Sequence, residues 1–320
     1  MTERRMLEAS LRISRNQSPA PLLSVALTLT TPRTIATPDG MKTSLVIPLV
    51  ILFASQAAAQ IVLDEHFTDG TLSFGSDPND GNFLRQGGTS QTIGIVTDNV
   101  IGGGNALAYS NQTNGTLFIG QMQTPATLVF IGQTIDFSFD FRFTSLPSTP
   151  NSSIFRFGLY NHIGSAPSDG GSETNPDSGY IYDFGAGGSA GDVGWGKESG
   201  GSDSILGGSG AASIPEGTIT PVAVDINDTL AHHVLCEFAL TASGLSLLTV
   251  FDGQPVDSAT DSTPFTSFNE VGFRLFGGPA AVNYDNLVVQ IAVPEPSPAL
   301  VTVGAALLCL FRSKLSRARS

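Results

Sequence analysis

The chain is short of the residues that most often carry chemistry. Its 320 residues include two cysteines, one tryptophan and four histidines. Two cysteines, Cys236 and Cys309, cannot build the multiply bridged framework of a small secreted scaffold. Cys236 falls in Val234-x-Cys236-x-Phe238-x-Leu240, an apolar strand face where cysteine serves as a small buried hydrophobe rather than a reactive thiol. The histidines, His66, His162, His232 and His233, show neither His-x-His nor His-x-x-x-His spacing, so no zinc site is expected. His232 and His233 enter a strand together, so at most one of them faces a given side.

Basic residues are scarcest in the middle of the chain. Between residues 60 and 292, Arg85, Arg142, Arg156, Lys197 and Arg274 stand against twenty-four Asp and Glu, a net charge of −19. Such a surface repels nucleic acid and anionic lipid, which excludes a nucleic-acid partner and suits solubility or weak capture of divalent cations. Gly, Ser, Thr and Asn are plentiful, the composition of a secreted β-rich protein with long turns.

What is present is alternation. Ile135, Phe137, Phe139, Phe141 and Phe143 alternate with Asp136, Ser138, Asp140 and Arg142, a period of two with one oily and one wet face. Further strands are expected at 93–97, 106–110, 116–121, 127–131, 153–160, 180–184, 221–225, 233–241, 245–251, 271–276 and 282–291. Turn residues such as Ala242-Ser243-Gly244 and Asp252-Gly253 separate them. No convincing amphipathic helix lies between these strands. Residues 60–292 therefore read as one all-β domain, an antiparallel two-sheet sandwich or jelly roll. Residues 163–217, rich in Gly, Ser and Asp, read as a long surface excursion interrupted by a strand at 180–184.

Both ends look like address labels. Met41-Lys42, the apolar stretch 45–53 and Ala57-Ala58-Ala59 before Gln60 have the layout of a signal peptide, residues 41–59, cut between Ala59 and Gln60. The simplest account starts translation at Met41 and treats residues 1–40 as a mis-assigned start; the rival is a long basic leader. At the other end, residues 293–320 hold Pro294-Glu295-Pro296, an apolar run over 297–311 and the cations Arg312, Lys314, Arg317 and Arg319. As a helix the run covers about 22 Å of the roughly 30 Å hydrocarbon core, a short transmembrane span helped by snorkelling arginines. The cations after it place the C-terminus in the cytoplasm and the body outside.

The tail resembles the PEP-CTERM sorting signal of exopolysaccharide-producing Gram-negative bacteria: a Pro-Glu-Pro triplet, a short transmembrane helix and an Arg-rich end, in that order. The resemblance covers about residues 293–320. It implies an exosortase-type enzyme as partner, the inner membrane as transit, and a mature protein at the cell surface or in its matrix. Removal of the tail would discard Cys309 and leave Cys236 alone. The body is similar, more weakly, to the concanavalin A-like, laminin G-like jelly roll. The segments that carry this are Phe67-Thr68-Asp69-Gly70, Gly104-Asn105-Ala106-Leu107, His232-His233-Val234 and the hairpin 245–251 with Asp252-Gly253, while Val282-Asn283-Tyr284-Asp285-Asn286-Leu287-Val288-Val289 resembles the closing strand often found just before PEP-CTERM tails. Lectins, glycosidases and structural modules all use such folds, so fold does not decide function.

Catalytic signatures are missing. Retaining glycosidases of this fold present a Glu-x-Asp-x-x-Glu strand that aims two carboxylates at one groove about 5 Å apart, and no such motif occurs. Asp64 and Glu65 are adjacent and point to opposite faces, and nothing in their spacing requires Asp183 and Asp192 to converge. Gly207-Gly208-Ser209-Gly210 lacks the strand-to-helix context of a nucleophile elbow. Two binding candidates remain. Trp195, in Gly194-Trp195-Gly196, either stacks on a sugar ring or packs its loop onto the sheet. Asp77, Asn79 and Asp80 crowd oxygen ligands into a turn that could hold a structural calcium ion, though it lacks the EF-hand glycine and distal glutamate. Apart from that calcium, no cofactor is expected. The expectation is an exported cell-surface or extracellular-matrix protein, not an enzyme, whose body binds extracellular polysaccharide or is structural. A secreted glycan-active hydrolase is the alternative.

Overall fold

The computed structural model describes residues 59–292 apart from 88–90, 112–116, 148–154, 172–176, 185–193, 201–204, 207–211, 216, 220–221, 223 and 277. Residues 1–40, the signal segment up to Ala58 and the whole tail 293–320 lie outside the described residues. Among the described residues no helix is long and apolar enough to cross a membrane.

The regular elements are strands: β1 (Gln60–Glu65), β2 (Gly81–Gln86), β3 (Thr92–Asp98), β4 (Gly104–Asn111), β5 (Leu117–Thr127), β6 (Thr134–Ser145), β7 (Phe155–Asn161), β8 (Ser178–Phe184), β9 (Gly194–Ser199), β10 (Ala212–Ser213), β11 (His232–Thr241), β12 (Gly244–Phe251), β13 (Gln254–Asp261), β14 (Ser267–Leu275) and β15 (Ala280–Ala292). They form two antiparallel sheets. One has eight strands in the order β13-β12-β11-β6-β15-β4-β3, with β1 also paired to β15. The other has seven, β10-β9-β8-β7-β14-β5-β2. β15 is the hub of the larger sheet, because β6 runs along one edge while β4 and β1 share the other.

The alternation in β6 explains why the sheets stack. Its five odd-numbered apolar side chains, from Ile135 to Phe143, are buried, and its polar ones turn outward. Phe139 meets the facing sheet directly, its ring 5.0 Å from Phe157 and 5.1 Å from Phe273. Phe118 stacks on Phe273 and meets Tyr284 edge-on across the gap. Each such ring contributes about 1.5–3 kcal/mol through burial, plus an aromatic-pair term of about 0.5–1.5 kcal/mol. All five tyrosines are buried as well.

Two backbone details position the polar residues discussed below. Asp252 and Gly253 both take positive φ, 48° and 78°, and close the two-residue hairpin between β12 and β13, the geometry that matches strand twist. In β15 the register against β6 slips between Asp285 and Val288, and Asn286 has φ 52°. This bulge re-aims the Asn286 side chain.

Several expected strands are corrected. Residues 128–133 are not a strand: β5 ends at Thr127, and the Gln133 carboxamide oxygen accepts from the amides of Val129 and Phe130 to fold a turn. Apolar character alone does not make a strand when a side chain satisfies the backbone instead. In 221–225 the described residues are irregular, although the Val222 amide donates to the Val256 carbonyl. The segment 163–217 is more than an excursion, since it supplies β8, β9 and β10 to the seven-stranded sheet.

Candidate functional site

The outward rows of the two sheets hold the polar chemistry, and they differ. On the seven-stranded sheet the pairing register lines up Gly196, Ile181, Gly158, Gly272, Ile119 and Leu84 in one row. Three glycines there leave a trench. Ile205 and Leu206 fill it: a side chain at Gly272 would come within 3.2 Å of both their Cδ1 atoms. Together with Leu117, Ile119, Tyr160 and Ile181 they form a second, smaller buried cluster.

Charged side chains grip the Leu206 peptide. Its amide donates to Glu198 at 3.2 Å, and its carbonyl accepts from Arg156 at 3.1 Å and Arg274 at 3.2 Å. Leu206 has φ 60°, a conformation a branched side chain seldom adopts, so this grip holds local strain. Arg156 also pairs with Asp183 at 2.7 Å, and both arginines lie over the Phe276 ring. Burial and the nearby Arg156 pull the Arg274 guanidinium below its usual pKa.

At one end of this face His162, Asp177 and Glu270 converge, with ligating atoms all within 4.8 Å of one another. His162 Nδ1 lies 2.7 Å from Asp177 Oδ1, and its Nε2 lies 2.6 Å from the Ser165 carbonyl oxygen. The Asn269 side chain clamps the His162 main chain, accepting from its amide at 2.7 Å and donating to its carbonyl at 3.3 Å. Burial first, then the facing Asp177 carboxylate, push the Glu270 carboxyl far up. Burial also raises Asp177, although Glu270 and His162 pull it back.

The eight-stranded sheet carries a different arrangement, open to water. His66 Nε2 lies 3.0 Å from Asp64 and its Nδ1 lies 2.6 Å from the Asn286 carboxamide oxygen. The bulged Asn286 donates to Asp140 at 2.6 Å, and the other Asp140 oxygen lies 2.6 Å from His233 Nδ1. The His233 amide donates to Asp252 at 2.8 Å. Asp252 also pairs with His232, which reaches Asp228 at 3.1 Å. His66 and His233 are about half-exposed, at 46% and 51% of their side chains. Hydrogen bonding to Asp64 pushes His66 up to about 9, so it is an imidazolium at neutral pH. The Asp140 hydrogen bond raises His233 in the same way. Burial raises Asp140, yet hydrogen bonds from His233 and Asn286 outweigh it and hold the carboxyl low.

Trp195 is corrected by its position. It lies on β9, 6% exposed, with its ring 5.1 Å from Tyr182 and 5.4 Å from Phe238 between the sheets. It packs the core and offers no face to a sugar. Asp77 Oδ1 accepts from the Asn79 amide within its own turn, and the Asp80 amide donates to the Asp77 carbonyl. Asp77 and Asp80 belong to no His/Cys/Asp/Glu group of metal-binding geometry among the described residues. Asp183 pairs with Arg156, while Asp192 lies outside the described residues. Glu65 turns inward to accept from the Phe67 and Gly81 amides, and Asp64 turns out to His66. Cys236 is fully buried, and burial pushes its thiol far above the ordinary range. His232 is buried and His233 exposed, as their adjacency on one strand requires. Of the cleavage-site residues, Ala57 is outside the described residues, Ala59 precedes the sheet, and Gln60 opens β1 opposite Ile291. Pro294, Glu295, Pro296, Arg312, Lys314, Arg317 and Arg319 all lie outside.

No protein-family model matches this chain, and no curated protein matches it. Among solved structures it is similar to a carbohydrate esterase from Shiga toxin-encoding bacteriophage phi24B, at 13% identity over 74% of this chain and 100% of that one, TM-score 0.41. It is similar to the cellulose-induced protein Cip1, at 12% identity over 72% and 97%, TM-score 0.43. A lectin, UEA-II complexed with galactose, shares 12% identity over 66% and 92%, TM-score 0.39. At TM-scores this low the likenesses carry no argument, and the sandwich stands on its own strand pairing.

Proposed function

We propose that this chain is an exported cell-surface or extracellular-matrix protein whose sandwich contacts polysaccharide without catalysis. The N-terminal signal at 41–59 sends it across the inner membrane. The PEP-CTERM-like tail then holds the precursor until an exosortase-type enzyme processes it. β1 opens at Gln60, the residue after the expected cleavage site, and pairs there with Ile291 of β15, which supports a domain start at that site.

The observation that carries the polysaccharide reading is the open band on the eight-stranded sheet, Asp64–His66–Asn286–Asp140–His233–Asp252. Planar carboxylates, imidazoles and an amide stand side by side there, half in water, as donors and acceptors matched to sugar hydroxyls. The tryptophan and the tyrosines are buried, and recognition on this band runs through hydrogen bonds. On the seven-stranded sheet, Ile205 and Leu206 cover the outward glycine row instead of leaving such a band open. Screening the full-length protein against a glycan array, with product analysis alongside, tests this reading. Binding with no product supports it; turnover of any glycan replaces it with the hydrolase reading.

A further inference from the structure

The cluster of His162, Asp177 and Glu270 is unexplained by that function. Glu270 is fully buried, and neither of its oxygens has a hydrogen-bond partner. Oδ2 of Asp177, also buried, has none either. Two carboxyl groups facing each other under cover are compatible only with a proton or a cation between them, so the pair marks a place that a cation can take. The histidine beside them is set up as a ligand. Its Nε2–H donates to the Ser165 carbonyl, so Nδ1 is the ring atom that faces the carboxylates, 2.7 Å from Asp177 Oδ1. A backbone carbonyl on the far nitrogen is the usual support of a metal-bound imidazole. The Asn269 clamp on the His162 main chain adds a second support.

We propose that His162 Nδ1, Asp177 and Glu270 bind a divalent transition-metal ion of the zinc class. One nitrogen and two carboxylate ligands suit zinc, which takes His and Asp/Glu at about 2.0–2.2 Å. Calcium needs six to eight oxygens and has no use for an imidazole, so the same cluster argues against it. Ligand atoms on a tetrahedral zinc ion stand about 3.4 Å apart, and the 2.7 Å between His162 Nδ1 and Asp177 Oδ1 opens to that with a small rotation. The ion would tie the end of β7 and the start of β8 to the middle of β14. Binding releases to solvent whatever proton the carboxylates share. Sequence spacing gives no hint of this site, because its ligands come from positions 162, 177 and 270 on three different strands or their ends.

The test uses the untagged full-length protein, stripped with a chelator and titrated with Zn2+, with Ca2+ and Mg2+ as controls. One zinc per chain is expected. The melting temperature should rise by about 5–10 °C when zinc stands at about a hundred times its Kd. Glu270→Gln keeps the size of a buried side chain and adds no charge, so it folds; it should weaken zinc binding about 100-fold. His233→Gln, on the open band, should leave zinc binding intact. Absence of stoichiometric zinc, or equal binding by wild type and Glu270→Gln, overturns the proposal. Loss of binding in His233→Gln alone assigns the zinc to the open band and overturns it too. Glycan binding is read separately, so failure here leaves the polysaccharide reading standing.

Discussion

The two outward faces of the sandwich treat charge in opposite ways. On the eight-stranded sheet, the carboxylates of the open band pair with the half-exposed imidazoles of His66 and His233, so those charges keep much of their solvation. On the seven-stranded sheet, Arg156, Asp183, Arg274 and Glu198 lie under a cover that two apolar residues complete. The strand alternation that produces both rows is the same. What separates a surface from a buried site is whether a loop returns to cover it, and here the glycine row makes room for that return. The covered face should therefore matter for stability, and the open face for contact with a partner.

The covered face gives the largest expected effect. Arg156→Ala removes the ion pair with Asp183 and one of the two cations on the Leu206 carbonyl, and should cost about 3–5 kcal/mol in chemical denaturation. A cost below about 1 kcal/mol would mean that the covered face is no more buried than the open one. Leu206→Ala removes a fully buried side chain and should cost about 2–4 kcal/mol, and its positive φ stays strained because alanine also carries a Cβ. On the open face, Asp64→Asn should cost under about 1 kcal/mol, the ordinary value of exposed ion pairs.

The finest test is pH. His66 has its pKa raised from about 6.5 unfolded to about 9 folded. Its contribution is therefore fully present below about pH 6.5 and fades as pH rises through about 9. The melting temperature should slope gently downward across that window, and His66→Asn should flatten the slope. An unchanged slope in His66→Asn would show that the Asp64 contact does not hold the proton.

How much of this was legible in the sequence depends on how local each signal is. The Phe137–Phe139–Phe141 alternation announced β6 and the core, because a strand's period of two is written in consecutive residues. Asp252-Gly253 announced its hairpin for the same reason. By contrast β13, Gln254–Asp261, mixes polar and small residues and shows no clean alternation, although it pairs with β12 on either side of a bulge at Val256. The 128–131 run misled because its apolar residues sit exposed in a turn. Trp195 looked available from its flanking glycines, but those glycines belong to the outward row of β9 and its indole points the other way, into the core. Neither the His162–Asp177–Glu270 cluster nor the open band has a motif. Their members meet only through strand pairing, and a search for carboxylates and histidines placed in register across predicted hairpins is the signal that would have found them.

The central claim, contact with polysaccharide through the open band and without catalysis, is tested most directly by co-sedimentation. Full-length protein and an Asp140→Ala/His233→Ala double variant are spun with extracellular polysaccharide from an exopolysaccharide-producing bacterium, and new reducing ends are assayed in the same tubes. Wild type should pellet with the polymer, the double variant should stay in the supernatant with its melting temperature nearly unchanged, and no reducing ends should form. Equal pelleting of both proteins, or new reducing ends with wild type, would contradict the account.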